Sequence, residues 1–105
     1  MEIRKTEIFA KILDIVANET ELTSEQILSC CRTAETVDAR YMLVHLLRRE
    51  GIYISEIARM MHFSRRGIEK MLSQFEDRLS QSGHIFKVTF ERIANKVRIA
   101  FESSR

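Results

Sequence analysis

Two consecutive arginines, Arg65 and Arg66, stand between Ser64 and Gly67 in the segment FSRRGIEKML. A guanidinium presents its N–H donors in a fixed fork that matches guanine O6 and N7, or the oxygens of a phosphate. Ser64 suits the N-cap of a helix. That placement puts both arginines in a first helical turn, where cations oppose the helix dipole at ~0.3–1 kcal/mol each. Gly67 follows in the same turn, at up to ~1 kcal/mol relative to alanine. Three locally unfavourable choices in one turn point to a surface kept for binding, with Gly67 letting a ligand come close to the backbone. The other reading of the same residues is a solvated, solubilising surface. Glu69, Lys70 and Ser73 recur on the same side one and two turns later. Lys70 and Ser73 suit phosphate. Glu69 suits the cytosine N4 amino group, or serves to orient an arginine.

These side chains need a rigid mount, and the flanking residues supply one. Ile57, Met61, Phe63, Ile68 and Met71 have the spacing of two short helices packed across a tight turn, with Ala58 allowing close approach. The pattern predicts a helix-turn-helix over residues 54–79, whose second helix enters a DNA major groove while the first crosses the backbone. An ordinary helical hairpin is the alternative. Ser55 is read as the cap of the first helix and as a phosphate contact. Arg59 is a backbone contact one turn on. Arg40, Arg48 and Arg49 extend the positive surface, or pair with Asp38, Glu50 or Glu56. His62 stands in the turn, where glycine is more usual.

The rest of the chain reads as helix. Residues 3–18 carry Ile8, Ile12, Leu13 and Val16 on one stripe. Thr23 and Gln26 spell a capping box, with Leu22 stapling onto Ile27. Arg32-Thr33-Ala34-Glu35 reads as a loop, followed by a helix over Val37–Glu50 with Leu43, Leu46 and Leu47 inward. Gly51 is its stop. A last helix over residues 84–101 places Phe86, Phe90, Ile93, Val97 and Phe101 on one face. About six helices and no strand signal predict an all-α fold. The length suits one DNA-binding domain over residues 1–105, with a modest core.

Hydrophobic residues make up 45% and charged residues 30% of the chain, the balance of a soluble globular protein. No apolar run approaches the ~18 residues of a membrane span, and the charged start MEIRKTEIF lacks a signal core. A cytoplasmic location is expected, with Cys30 and Cys31 as reduced thiols. Their adjacency lacks metal-ligand spacing; a redox role for the pair is the less favoured reading. The net charge is +2, but its distribution is uneven: −3 over residues 1–31, +3 over 32–70 and +2 over 71–105. The positive excess falls on and after the helix-turn-helix.

The segment ILSCCRTAETVDARYMLVHLLRREGIYISEIARMMHFSRRGIEKML resembles the C-terminal DNA-binding domain of the bacterial chromosomal replication initiator, DnaA, in the Trp-repressor-like superfamily. The likeness extends from ILDIVA to the helix after SGHIF, about residues 8–98, and lies mostly in apolar framework positions. It implies a recognition helix reading bases in the major groove, an arginine of the preceding loop in the adjacent minor groove, and phosphates held by the long helix and the first motif helix. Arg32 lies in the loop and Arg40 heads the long helix. The family's Asp-His-Thr-Thr signature is replaced by Ser64-Arg65-Arg66-Gly67, and most basic residues of its loop by Cys30, Cys31, Ala34 and Glu35, with Arg32 remaining. A different target follows. These residues hold no GxxxxGK[ST] loop, so ATP-driven origin opening is not expected.

The sequence thus predicts a stand-alone reader of double-stranded DNA, a transcriptional regulator or accessory replication factor without ATPase activity. Ser64, Arg65, Arg66 and Glu69 face bases; Arg32, Arg40, Ser55, Arg59, Lys70 and Ser73 face phosphates. The alternative is a protein-interaction module that kept the fold and lost DNA binding. No catalytic residues, metal, cofactor, membrane or small-molecule substrate is expected. An apolar edge left on the last helix would allow a homodimer.

Overall fold

A computed structural model describes residues 4–29, 32–81 and 83–102. Among them the chain is all-α, with six helices: α1 Lys5–Thr20, α2 Ser24–Leu28, α3 Ala34–Arg49, α4 Ile54–Met61, α5 Arg65–Gln81 and α6 Gly83–Glu102. No helix among these residues is long and apolar enough to cross a membrane. Cys30 and Cys31, and the loop reading that rests on them, lie outside the described residues.

Short-range hydrogen bonds set the helix ends. Thr23 Oγ1 accepts from Gln26 N–H at 3.0 Å, and Gln26 Oε1 accepts from Thr23 N–H at 2.8 Å, the reciprocal box expected from the sequence. Gly51, at φ +93°, closes α3, with its N–H on Arg48 O and the Ile52 N–H on Leu47 O. The start of α3 differs from expectation. Thr33 is its N-cap, its hydroxyl accepting from Thr36 N–H at 3.4 Å, so Ala34 and Glu35 are helical rather than loop. A Thr-x-x-Thr pair whose hydroxyls also meet at 3.0 Å supplies that cap. Helix α1 begins and ends two residues later than the 3–18 expected, closing on Glu21 in the left-handed region.

The core is the shared inner face of α1, α3 and α6, with α4 and α5 docked on it. Ile12, Val16, Leu43, Leu47, Ile93 and Val97 are buried at its centre. The ring of Phe75 on α5 stacks on His45 of α3 at 4.0 Å between centroids and meets Phe90 of α6 edge-on at 4.9 Å. This aromatic cluster fixes α5 to the body of the protein. Four ion pairs among the described residues span the helices at the rim: Lys5–Glu56 joins α1 to α4, Arg78–Asp38 joins α5 to α3, and Glu19 of α1 pairs with both Arg92 and Lys96 of α6. Those last contacts, led by the Lys96 hydrogen bond, hold the Glu19 carboxyl below its ordinary pKa.

Candidate nucleic-acid interface

The eight residues of α4 are strongly amphipathic. Ile57, Ala58 and Met61 are buried, while Ser55 and Arg59 face solvent. Tyr53, not Ser55, is the N-cap residue, and Ser55 is the second residue of the helix. The reason is Glu56: its carboxylate reaches back to the Tyr53 N–H at 3.4 Å and so fixes the helix start two residues earlier. The same carboxylate accepts both hydrogen bonds of Lys5, at 3.0 Å each, and these pull its pKa down. Ser55 stays exposed in the first turn.

The turn between α4 and α5 is three residues long. His62 adopts φ +60°, ψ +37°, and its own N–H and that of Phe63 close on the carbonyls of Arg59 and Ala58. Here a left-handed conformation is required, which explains why glycine is the residue expected at this point. Phe63 tucks against the core. Ser64 then starts α5: its carbonyl accepts from Ile68 N–H at 3.1 Å, and its Oγ accepts from Gly67 N–H at 3.0 Å. One orphan donor of the first turn is thereby satisfied.

Ile68 and Phe75 anchor the inner face of α5, with Met71, Leu72 and Leu79 half-buried beside them. At 100° per residue, Arg66, Lys70, Ser73 and Asp77 fall on the opposite face, flanked by Arg65, Glu69 and Glu76. All seven are exposed. Arg65 Nε lies 3.6 Å from Glu69 Oε1, an open pairing one turn apart that orients the arginine. The side chains of Arg66, Lys70, Arg59 and Arg32 make no hydrogen bond or ion pair among the described residues. Beyond Ser73 the face changes sign: Glu76 and Asp77 point outward, while Arg78 turns in onto Asp38 and the Tyr41 ring. The cationic part of the helix is its first two turns.

One expected phosphate contact is corrected. Arg40 is buried, 7% exposed, with Nε donating to Ile27 O at 2.7 Å and Nη2 to Ser29 O at 2.5 Å. The last carbonyls of the short helix α2 and the chain after it occupy this guanidinium. Ser73 is exposed, and its hydroxyl donates to Lys70 O at 3.0 Å, a bond that a phosphate would have to replace. Ser64 spends a lone pair on its cap and keeps its proton. Gly67 also gains a local explanation, since a Cβ there would meet Ser64 Oγ at 3.1 Å.

Two residues near this surface escaped sequence reading. Tyr53 is 64% exposed at the start of α4, and Lys5 lies over its ring at 5.2 Å. Lys5 is fifty-one positions from Glu56, so no local pattern reveals the pair. An open groove of about 480 Å³ is lined by Ser29, Arg32, Val37, Arg40, Phe63 and Met71.

The histidines do not converge: His62 and His84 are exposed and His45 stacks on Phe75. Among the described residues no group of three or more His, Cys, Asp or Glu side chains could hold a metal. On α6, Ile85 and Ile99 are exposed, two heptads apart, and Arg92 between them is tied to Glu19. They are separate apolar spots rather than a continuous seam.

Comparison of the chain with protein-family models, curated proteins and solved structures gives no match.

Proposed function

We propose that the chain is a reader of double-stranded DNA, with α4 and α5 as a helix-turn-helix of the kind found in the C-terminal domain of DnaA. The observation that carries this reading is the first two turns of α5. Arg66 and Lys70 are uncommitted cations on an exposed face, and Ser64 and the Phe75 cluster hold that face rigid. In this reading the start of α5 enters the major groove. Arg66 makes the base contact, and Arg65, oriented by Glu69, makes a second. Lys70, Arg59, Ser55 and Arg32 hold phosphates and set the register. Glu76 and Asp77 repel the backbone and confine the footprint to the first half of the helix. The biological role is that of a stand-alone transcriptional regulator or accessory replication factor.

Glu69, Glu76 and Asp77 on the same helix favour a second reading, in which α5 is a protein interface. Selection from random duplexes, followed by mobility shifts, separates the two. Enrichment of a defined site is expected, with Arg65→Ala/Arg66→Ala losing ~1–3 kcal/mol of discrimination per contacted base. Residual, salt-sensitive binding should survive in that variant. Unchanged preference in the double variant refutes the assignment, and no enrichment at low salt transfers the case to the protein interface.

A further inference from the structure

Arg40 is buried, and its fork bridges two successive pieces of backbone. Nε holds Ile27 O, the carbonyl one residue before the end of α2, and Nη2 holds Ser29 O, just beyond that end. The other side of the guanidinium faces the Phe63 ring at 5.5 Å, in the turn that leads into α5. One side chain of α3 therefore links the exit of α2 to the turn before Ser64, Arg65 and Arg66. On the far side of residues 30–31, Thr33 is pinned by Thr36, whose hydroxyl donates to Thr33 O at 3.0 Å. Arg32 stands exposed between these two anchors, on the rim of the groove that ends at Phe63 and Met71.

We infer that Arg40 is a positioning residue, which holds Arg32 at a set distance from the α5 reading face so that both engage one duplex. The inference rests on the DNA-binding reading and adds to it a mechanical link between two contacts. Two features of arginine suit the task. Its planar fork donates to two acceptors at once, and its flat face packs on an aromatic ring. Lysine keeps the charge but carries its donors on a single nitrogen, so it neither spans the two carbonyls that Nε and Nη2 reach nor lays a flat face on the ring. A direct phosphate contact by Arg40 would show the opposite pattern, with lysine an adequate substitute.

The experiment compares wild type, Arg32→Ala, Arg40→Lys and the double variant on the selected duplex, across a salt series. Each phosphate contact contributes about 0.9 to the slope of log affinity against log salt. Arg32→Ala should lower that slope by about one contact, which is about a 3- to 4-fold loss of the salt effect between 50 and 200 mM. Arg40→Lys should lower it by the same amount, and Arg32→Ala should then cost nothing more. A wild-type slope in Arg40→Lys overturns the inference, as does an undiminished effect of Arg32→Ala in that background. A role confined to stability would lower the melting temperature and leave the slope alone. If Arg40→Lys does not fold, Phe63→Leu carries the test, because it removes the ring and keeps an apolar residue in the turn. It should weaken the dependence on Arg32, and an unchanged dependence overturns the link. Failure of the wild type to bind, or binding indifferent to Arg65 and Arg66, instead defeats the underlying DNA-binding reading.

Discussion

Ser64 and Gly67 should behave as one unit, and a double-mutant cycle can show it. Ser64 Oγ accepts the Gly67 N–H at 3.0 Å, and it is also the atom that a Cβ at position 67 would meet at 3.1 Å. Removing the hydroxyl with Ser64→Ala loses an N-cap, at about 1 kcal/mol. Gly67→Ala alone gains helix propensity, up to about 1 kcal/mol, but its methyl crowds the capping oxygen. The oxygen must shift and its hydrogen bond weaken, so the net change should stay within about 0.5 kcal/mol of zero. In the Ser64→Ala background the oxygen is gone and the propensity gain is realised in full. The double variant should return to within about 0.5 kcal/mol of wild type, a coupling of about 1 kcal/mol. Urea denaturation with a shared slope measures all four corners. Additive effects, with Gly67→Ala stabilising by the full propensity term on its own, would refute the reasoning. Mobility shifts on the same proteins test the other account of this glycine. A Gly67→Ala protein of native stability that loses DNA affinity assigns the missing side chain to close approach of the duplex.

His62→Gly should raise stability by about 0.5–1 kcal/mol, because a non-glycine residue at φ +60° carries left-handed strain that glycine lacks; no change in melting temperature would contradict this. His45 has its pKa lowered by burial first and by Arg49 second, with Glu76 opposing. Its contribution is present above the unfolded value near 6.5 and is lost as pH falls from there toward the lowered folded value. Stability measured from pH 7 to pH 5 should decline, and His45→Phe, which preserves a ring against Phe75, should flatten that decline; an identical slope in the variant would count against it. Glu19 and Glu56 act in a lower window. Their folded pKa values are depressed, so their contributions are complete above about 4.5 and fade below it. Lys96→Met should therefore reduce the loss of stability below pH 4.5 while leaving the pH 7 to 5 region unchanged.

What was legible in the sequence follows from distance along the chain. The Thr23–Gln26 box, the Gly51 stop, the Ser64 cap and the left-handed His62 all involve atoms within five residues of one another. Their geometry is set by the backbone itself, and residue type at fixed spacing reports it. The apolar stripes of α1, α3, α5 and α6 were equally legible, since a 3.6-residue period states which face must leave water. The N-terminus of α3 is less legible, because Thr33 sits among the polar neighbours of a loop-like stretch and caps the helix only through its pairing with Thr36. Ser55 is of a residue type that suits a cap, whereas Glu56 sets the helix start from within.

The sequence alone determined the helical stripes, the local caps at Thr23, Gly51 and Ser64, and the presence of a cationic turn at Arg65 and Arg66. Tertiary structure decided which cations remain available to a ligand. The sequence offers Arg40 as one more cation of the positive surface, yet packing sends it to the carbonyls of Ile27 and Ser29, as it sends Arg78 to Asp38. Lys5 crosses from α1 to neutralise Glu56 beside Ser55. A charged side chain is long and its partner is whatever the fold brings within about 4 Å. Local spacing fixes the direction in which such a residue leaves its helix, but only the packing of the other helices determines what it meets.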